Sequence, residues 1–154
     1  MAGDTSIIKF IGSPYKHVRK TLKPNKQKYK NLVSKEVEAL KKLHTTKISP
    51  KLVDFGDTWI LMTYVGERTT RKNLPMNWRE QVENILKILK KFNISHNDIQ
   101  HEEILVMNNK LYLIDFQHWT STRQEFNKLV EDNKTGCSWR LDDRESLFSH
   151  LESL

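Results

Sequence analysis

Cysteine is nearly absent: the 154-residue chain has one, Cys137. A single thiol cannot close an internal disulfide, so a reducing intracellular compartment is expected, cytoplasmic or nuclear. The sequons at Asn93 and Asn133 then carry no glycan, and Cys137 is read as a small packing residue. No apolar run approaches the length needed to span a bilayer, so no membrane partner is expected. The opening MAGDTSIIKF has no basic segment followed by an apolar stretch, so no signal peptide is expected. Ala2 stands where N-myristoylation requires glycine. His101 and His118 have no metal-ligand spacing with any Cys or His, which argues against a zinc site. Repeats and low-complexity tracts are missing as well.

What is present is ordinary for a globular protein: 37% hydrophobic and 29% charged residues. The length fits one domain, or one small domain in two lobes. Net charge is +7, with many lysines between Lys16 and Lys51. Such a surface favours polyanions, whether nucleic acid, ATP or acidic proteins. A solvated lysine-rich face that only keeps the chain soluble fits equally well.

The apolar periodicity sets out the elements. Ser6–Gly12 reads as a strand ending at a Gly12-Ser13-Pro14 turn. His17–Leu22 alternates and reads as a second strand, stopped by Pro24. Asn31–Leu43 places Leu32, Val33, Val37, Leu40 and Leu43 at helical spacing. Residues 51–66 read as two strands around Gly56-Asp57. Asn77–Phe92 is the strongest helix, with Asn77 as cap and Glu80 completing a capping box. Ile104–Val106 and Leu111–Ile114 read as a hairpin turning at Asn108-Asn109. A last helix is expected from near Asp142. Residues 67–76 form a polar connector between lobes 1–66 and 77–154. Strands grouped before the connector and helices after it indicate an α+β fold in two lobes.

The order of elements, with the residues they carry, resembles a protein-kinase fold in reduced form. His96-Asn97-Asp98 falls at the family's His-Arg-Asp, and Asp115-Phe116-Gln117 at its Asp-Phe-Gly. By that resemblance Asp98 is the base that takes or orients the acceptor proton, and Asp115 ligates Mg²⁺. Glu103, five residues after Asp98, falls at the family's metal-binding Asn. Lys20 resembles the strand lysine on the α/β-phosphates of ATP, and Glu36 the helix glutamate that pairs with it, ahead of Glu38. Thr63, Tyr64 and Val65 resemble a hinge whose backbone binds adenine. Asp143 resembles the buried helix aspartate that bonds the catalytic loop's backbone. His96 is read as a packed, hydrogen-bonded histidine, and Phe116, Trp119 and Trp139 as core. The resemblance runs from about residue 7 to the end and implies ATP and Mg²⁺ as cofactors.

The pattern departs from the family in four places. Gly-x-Gly-x-x-Gly is missing: of such glycines only Gly12 is present, eight residues before Lys20 and too close for a full phosphate-covering hairpin and a further strand. Glu103 replaces Asn, which adds charge and makes strict metal dependence the expectation. Asn97 and Gln117 replace Arg and Gly, which argues against switching by loop phosphorylation. These replacements are similar to atypical kinases of the RIO type, the small tRNA-modification-associated kinases and the aminoglycoside or choline phosphotransferases. The chain stops soon after Asp143, so a reduced helical lobe is expected.

Three readings follow. The first is an ATP- and Mg²⁺-dependent phosphotransferase acting on a protein Ser/Thr hydroxyl or on itself, with a small-molecule kinase as a sub-case. The second is a pseudokinase that binds a partner. The third, compatible with both, is nucleic-acid binding through the lysines.

Overall fold

The computed structural model describes residues 5–132 and 142–154. Cys137, Trp139 and the sequon at Asn133 lie outside the described residues.

Short runs rich in β-branched and aromatic residues build the first sheet. Its strands are β1 (Ser6–Gly12), β2 (Tyr15–Leu22), β3 (Leu52–Phe55) and β4 (Trp59–Thr63), in the antiparallel order β1-β2-β4-β3. Lys20 stands opposite Ile8 on β1 and Ile60 on β4, and Val18 opposite Phe10 and Met62. Side chains two apart share a face, so Val18, Lys20 and Leu22 all point to one side of β2.

The helix α1 (Lys30–Lys42) covers part of that side, lying against β3 and β4. It buries Val33, Val37, Ala39 and Leu40, and among them Glu36. A fully buried leucine such as Leu40 is worth about 1.5–3 kcal/mol, so this stripe fixes the helix against the sheet. One buried charge in such a stripe demands a partner.

The second sheet is β5-β6-β7: Glu67–Arg68, Ile104–Met107 and Lys110–Leu113. The β6–β7 turn has Asn108 and Asn109 at φ of 51° and 64°, the pair of left-handed residues a two-residue hairpin needs. The helix α2 (Trp78–Lys91) buries Trp78, Val82, Ile85 and Leu89 against β7 and the last helix, α4 (Asp143–Glu152). One apolar core runs through both lobes, from Leu22 to Leu151. No helix among the described residues is long and apolar enough to cross a membrane.

Three expectations need correction. Strand β5 lies inside the stretch read as connector. A helix α3 (Arg123–Asp132) stands where none was expected; it buries no residue, although Phe126, Leu129 and Val130 fall at helical spacing. Asn77 does not cap α2: its Oδ1 accepts from the Gln81 side chain at 2.9 Å instead. A capping box does form, but at Gln100 and Glu103.

Candidate active site

Lys20 is the meeting point. Its Nζ lies 2.7 Å from Glu36 Oε1 and 3.1 Å from Asp115 Oδ1, with all three side chains buried. Strand β2 supplies the cation, α1 one carboxylate, and the segment after β7 the other. Burial alone would strip the proton from Lys20; Asp115 and Glu36 outweigh it and raise its pKa. Burial likewise works against the Asp115 charge, but the Lys20 ammonium holds that carboxyl below its usual range. Burial pushes Glu36 up, against the pull of Lys20. The two carboxylates thus shift in opposite directions although both bond Lys20. The contact to Glu36, at 2.7 Å, is the shorter of the two. Glu38, the other acid considered, is exposed.

Asp115 sits at φ of 66°, a left-handed conformation that a non-glycine residue adopts only where its surroundings enforce it. The enforcement is visible on both sides. The Ile114 amide donates to Glu103 O at 3.0 Å, and Phe116 beyond it is fully buried with its ring 4.8 Å from that of His96. His96 Nδ1 accepts the Asp98 amide at 3.2 Å, so Nε2 carries the proton and donates to Ile114 O at 2.8 Å. His96 therefore ties the loop of Asp98 to the strand end of Asp115.

Asp143, the first residue of α4, accepts both the His96 amide, at 2.7 Å, and the Asn97 amide, at 3.1 Å. Asn97 is itself left-handed, at φ of 74°. Its side-chain nitrogen donates to His118 O and Thr120 Oγ1 at 2.8 and 2.9 Å. Asp98 is half-buried, and Gln100 Nε2 approaches its Oδ1 at 3.3 Å.

Glu103 is 3% exposed, so it is no surface acid. Its Oε2 accepts the Gln100 amide at 2.9 Å. Burial first, then the nearby Asp115 charge, push its carboxyl up to about 8. Glu103 and Asp115 each keep one oxygen outside these bonds. An all-oxygen, carboxylate pair suits Mg²⁺.

A cleft of about 440 Å³ opens between the lobes onto Lys20, Glu36 and Asp115. That volume is in the range of small-molecule sites. Val18, Met62 and Ile8 line it from the first sheet, Leu105 and Ile114 from the second, and Thr63–Gly66 between them. Gly66 has φ of +108°, and a Cβ there would come within 2.0 Å of Val106 O. Only glycine lets the chain cross here from one sheet to the other.

The sequence matches the RIO domain across residues 11–133. The chain belongs to the RIO domain family. RIO domains are atypical, kinase-like, ATP-binding phosphotransferases, with ATP bound together with Mg²⁺. A crystal structure of WbdD at 2.2 Å covers 99% of this chain with a TM-score of 0.61 at 14% identity. At that identity the likeness is one of fold. The chain spans 44% of the length of that WbdD chain. No curated protein matches the sequence significantly.

Within this RIO domain the three residues expected at a hinge differ. The Thr63 amide is taken by Lys51 O and the Tyr64 amide by Lys16 O, both at 2.9 Å. Among the described residues the Val65 amide has no such partner, and Val65 lines the cleft. Several cleft residues escaped the sequence reading, among them Ile8, Leu105 and Ile114. Val18 and Ile8 had a signal: each shares the Lys20 face, one by alternation and the other by hairpin pairing. Leu105 and Ile114 had none, because only the packing of the lobes brings them under the first sheet.

Proposed function

We propose that this RIO domain transfers the γ-phosphoryl group of ATP to a hydroxyl, with a protein Ser or Thr, or one of its own, as acceptor. The observation that carries this reading is the convergence of Lys20, Glu36 and Asp115 at the cleft. A scaffold has no physical need for a buried cation shared by two carboxylates from distant segments, since such a cluster costs desolvation.

In this reading Glu36 holds Lys20 toward the α- and β-phosphates, and adenine lies against the Val65 backbone. Asp115 and Glu103 hold Mg²⁺, which neutralises charge on the phosphates. The acceptor oxygen bonds to the γ-phosphorus as the bond from that phosphorus to the ADP oxygen breaks. Asp98 takes the hydroxyl proton, and ADP leaves. His96 and Asp143 hold the Asp98 loop in register.

The test is transfer of labelled γ-phosphate in Mg²⁺, read on the protein itself, on a Ser/Thr protein substrate and on small-molecule alcohols. Label on protein supports the reading, and label on small molecules alone redirects it to a small-molecule kinase. No transfer with intact ATP binding would leave a pseudokinase.

A second reading coexists with the first and rests on charge. Residues 16–51 carry twelve basic and two acidic residues, more net positive charge than the whole chain. Lys28, Lys30, Lys41 and Lys47 are exposed and make no ion pair among the described residues. This face suits the phosphate backbone of a nucleic acid. Binding that weakens steeply with salt, and falls in a Lys28→Glu/Lys30→Glu variant, supports it; binding blind to both changes removes it.

A further inference from the structure

Trp119 lies four residues after Asp115 and only 4% exposed. Its indole Nε1 donates to the backbone carbonyl of Lys35 at 2.7 Å. That carbonyl lies inside α1, one residue before Glu36. A carbonyl has two lone pairs, so it can serve the helix and the indole together. The Lys35 and Lys42 ammonium groups lie 4.3 and 4.9 Å from the centre of the same ring, within cation–π range. Trp119 therefore grips one face of α1 at two successive positions seven residues apart.

The other side of Trp119 is equally held. Thr120 and Ser95 exchange backbone hydrogen bonds at 2.9 and 3.0 Å, and Asn97 bonds the carbonyl of His118. The segment after Asp115 is thus fastened to the Asp98 loop on one side and to α1 on the other.

We infer that Trp119 is a positioning residue: it locks α1 to the Asp115 segment and so keeps Glu36 on Lys20. Were α1 to swing away from the cleft, Glu36 would leave Lys20, but that motion must break the indole bond and both cation–π contacts. The Lys20–Glu36 pair is then assembled at all times, with no phosphorylated loop needed. This rests on the proposed role of Lys20 at the phosphates only for its catalytic consequence; the positioning itself does not.

The experiment uses Trp119→Phe, which keeps a ring and loses the N–H. The first readout needs no nucleotide: brief treatment with an amine-reactive reagent, followed by mass spectrometry of Lys20. Labelling of Lys20 rises about five- to tenfold over wild type, the effect of one lost hydrogen bond. Trp78→Phe, at a tryptophan equally buried in α2, leaves it unchanged. The second readout compares ATP with adenosine, which lacks the phosphates that Lys20 would touch. Affinity for ATP in Mg²⁺ falls by a similar factor while affinity for adenosine holds. Should Trp119→Phe fail to fold, the double variant Lys35→Leu/Lys42→Leu takes its place, again with raised Lys20 labelling. Unchanged Lys20 labelling in the folded variant overturns the inference. Raised labelling with no ATP binding by the wild type upholds the positioning role and defeats the phosphotransferase reading.

Discussion

Lys20 and Asp115, 95 residues apart in the chain, form an ion pair at 3.1 Å in a buried setting. With Glu36 on the same ammonium, removal of the cation leaves two carboxylates in the interior. Lys20→Met is expected to cost about 3–5 kcal/mol in urea denaturation, the range for breaking a buried pair from one side. A loss below about 1 kcal/mol would mean that water reaches the carboxylates and the cluster is not closed.

Glu103 makes the metal-free protein sensitive to pH. Its carboxyl is raised from 4.5 to about 8, chiefly by burial and then by Asp115. Between those values the folded state keeps a proton that the unfolded chain has released. Stability from this group is complete below pH 4.5 and is lost as pH rises toward 8. Denaturation in chelator at pH 5 and pH 8 should show the fall, and Glu103→Gln should flatten it. An equal fall in the variant would assign it to another group.

Asp98→Asn separates chemistry from folding. The side chain is half-buried, the Gln100 hydrogen bond to it is long at 3.3 Å, and Asn keeps its size, so stability should change by less than about 1 kcal/mol. Phosphoryl transfer should drop on the order of a hundredfold or more, as for loss of a general base. Transfer at the wild-type rate would remove Asp98 from the reaction.

Asp143→Ala would leave the amides of His96 and Asn97 without their acceptor. Each unsatisfied buried donor costs about 1–3 kcal/mol. The melting temperature should fall, and exchange of these two amides in hydrogen-exchange experiments should speed up. Protection that persists in the variant would show another acceptor for them.

Much of this was legible in the sequence because the site is built at strand ends. Alternation located β2, short apolar runs bounded by turn residues located the other strands of both sheets except β5, and helical spacing located α1 and α2. His96-Asn97-Asp98 and Ile114-Asp115-Phe116 flank the short β6–β7 hairpin, so knowing that hairpin brings their carboxylates close. Other features depend on tertiary contacts with no local signature. Strand β5 is two residues of polar chain that become a strand only because β6 offers an edge. Glu103 stands out in the sequence only by the resemblance, at the family's metal-binding Asn; that it is buried and closes a capping box with Gln100 is visible only after folding. The bond from Trp119 to Lys35 crosses 84 residues and joins a side chain to a backbone carbonyl, which no residue pattern marks.

The central claim is that the cleft binds ATP with a metal held at Asp115. Thermal melting with ATP, with Mg²⁺ and with both tests it most directly, in wild type and in Asp115→Asn. A ligand at about a hundred times its dissociation constant adds roughly 2.7 kcal/mol, a rise of several degrees for a chain of this size. The expected result is a rise that needs both ligands and disappears in Asp115→Asn. A wild-type melting temperature that stays put at saturating ATP and Mg²⁺ would contradict it.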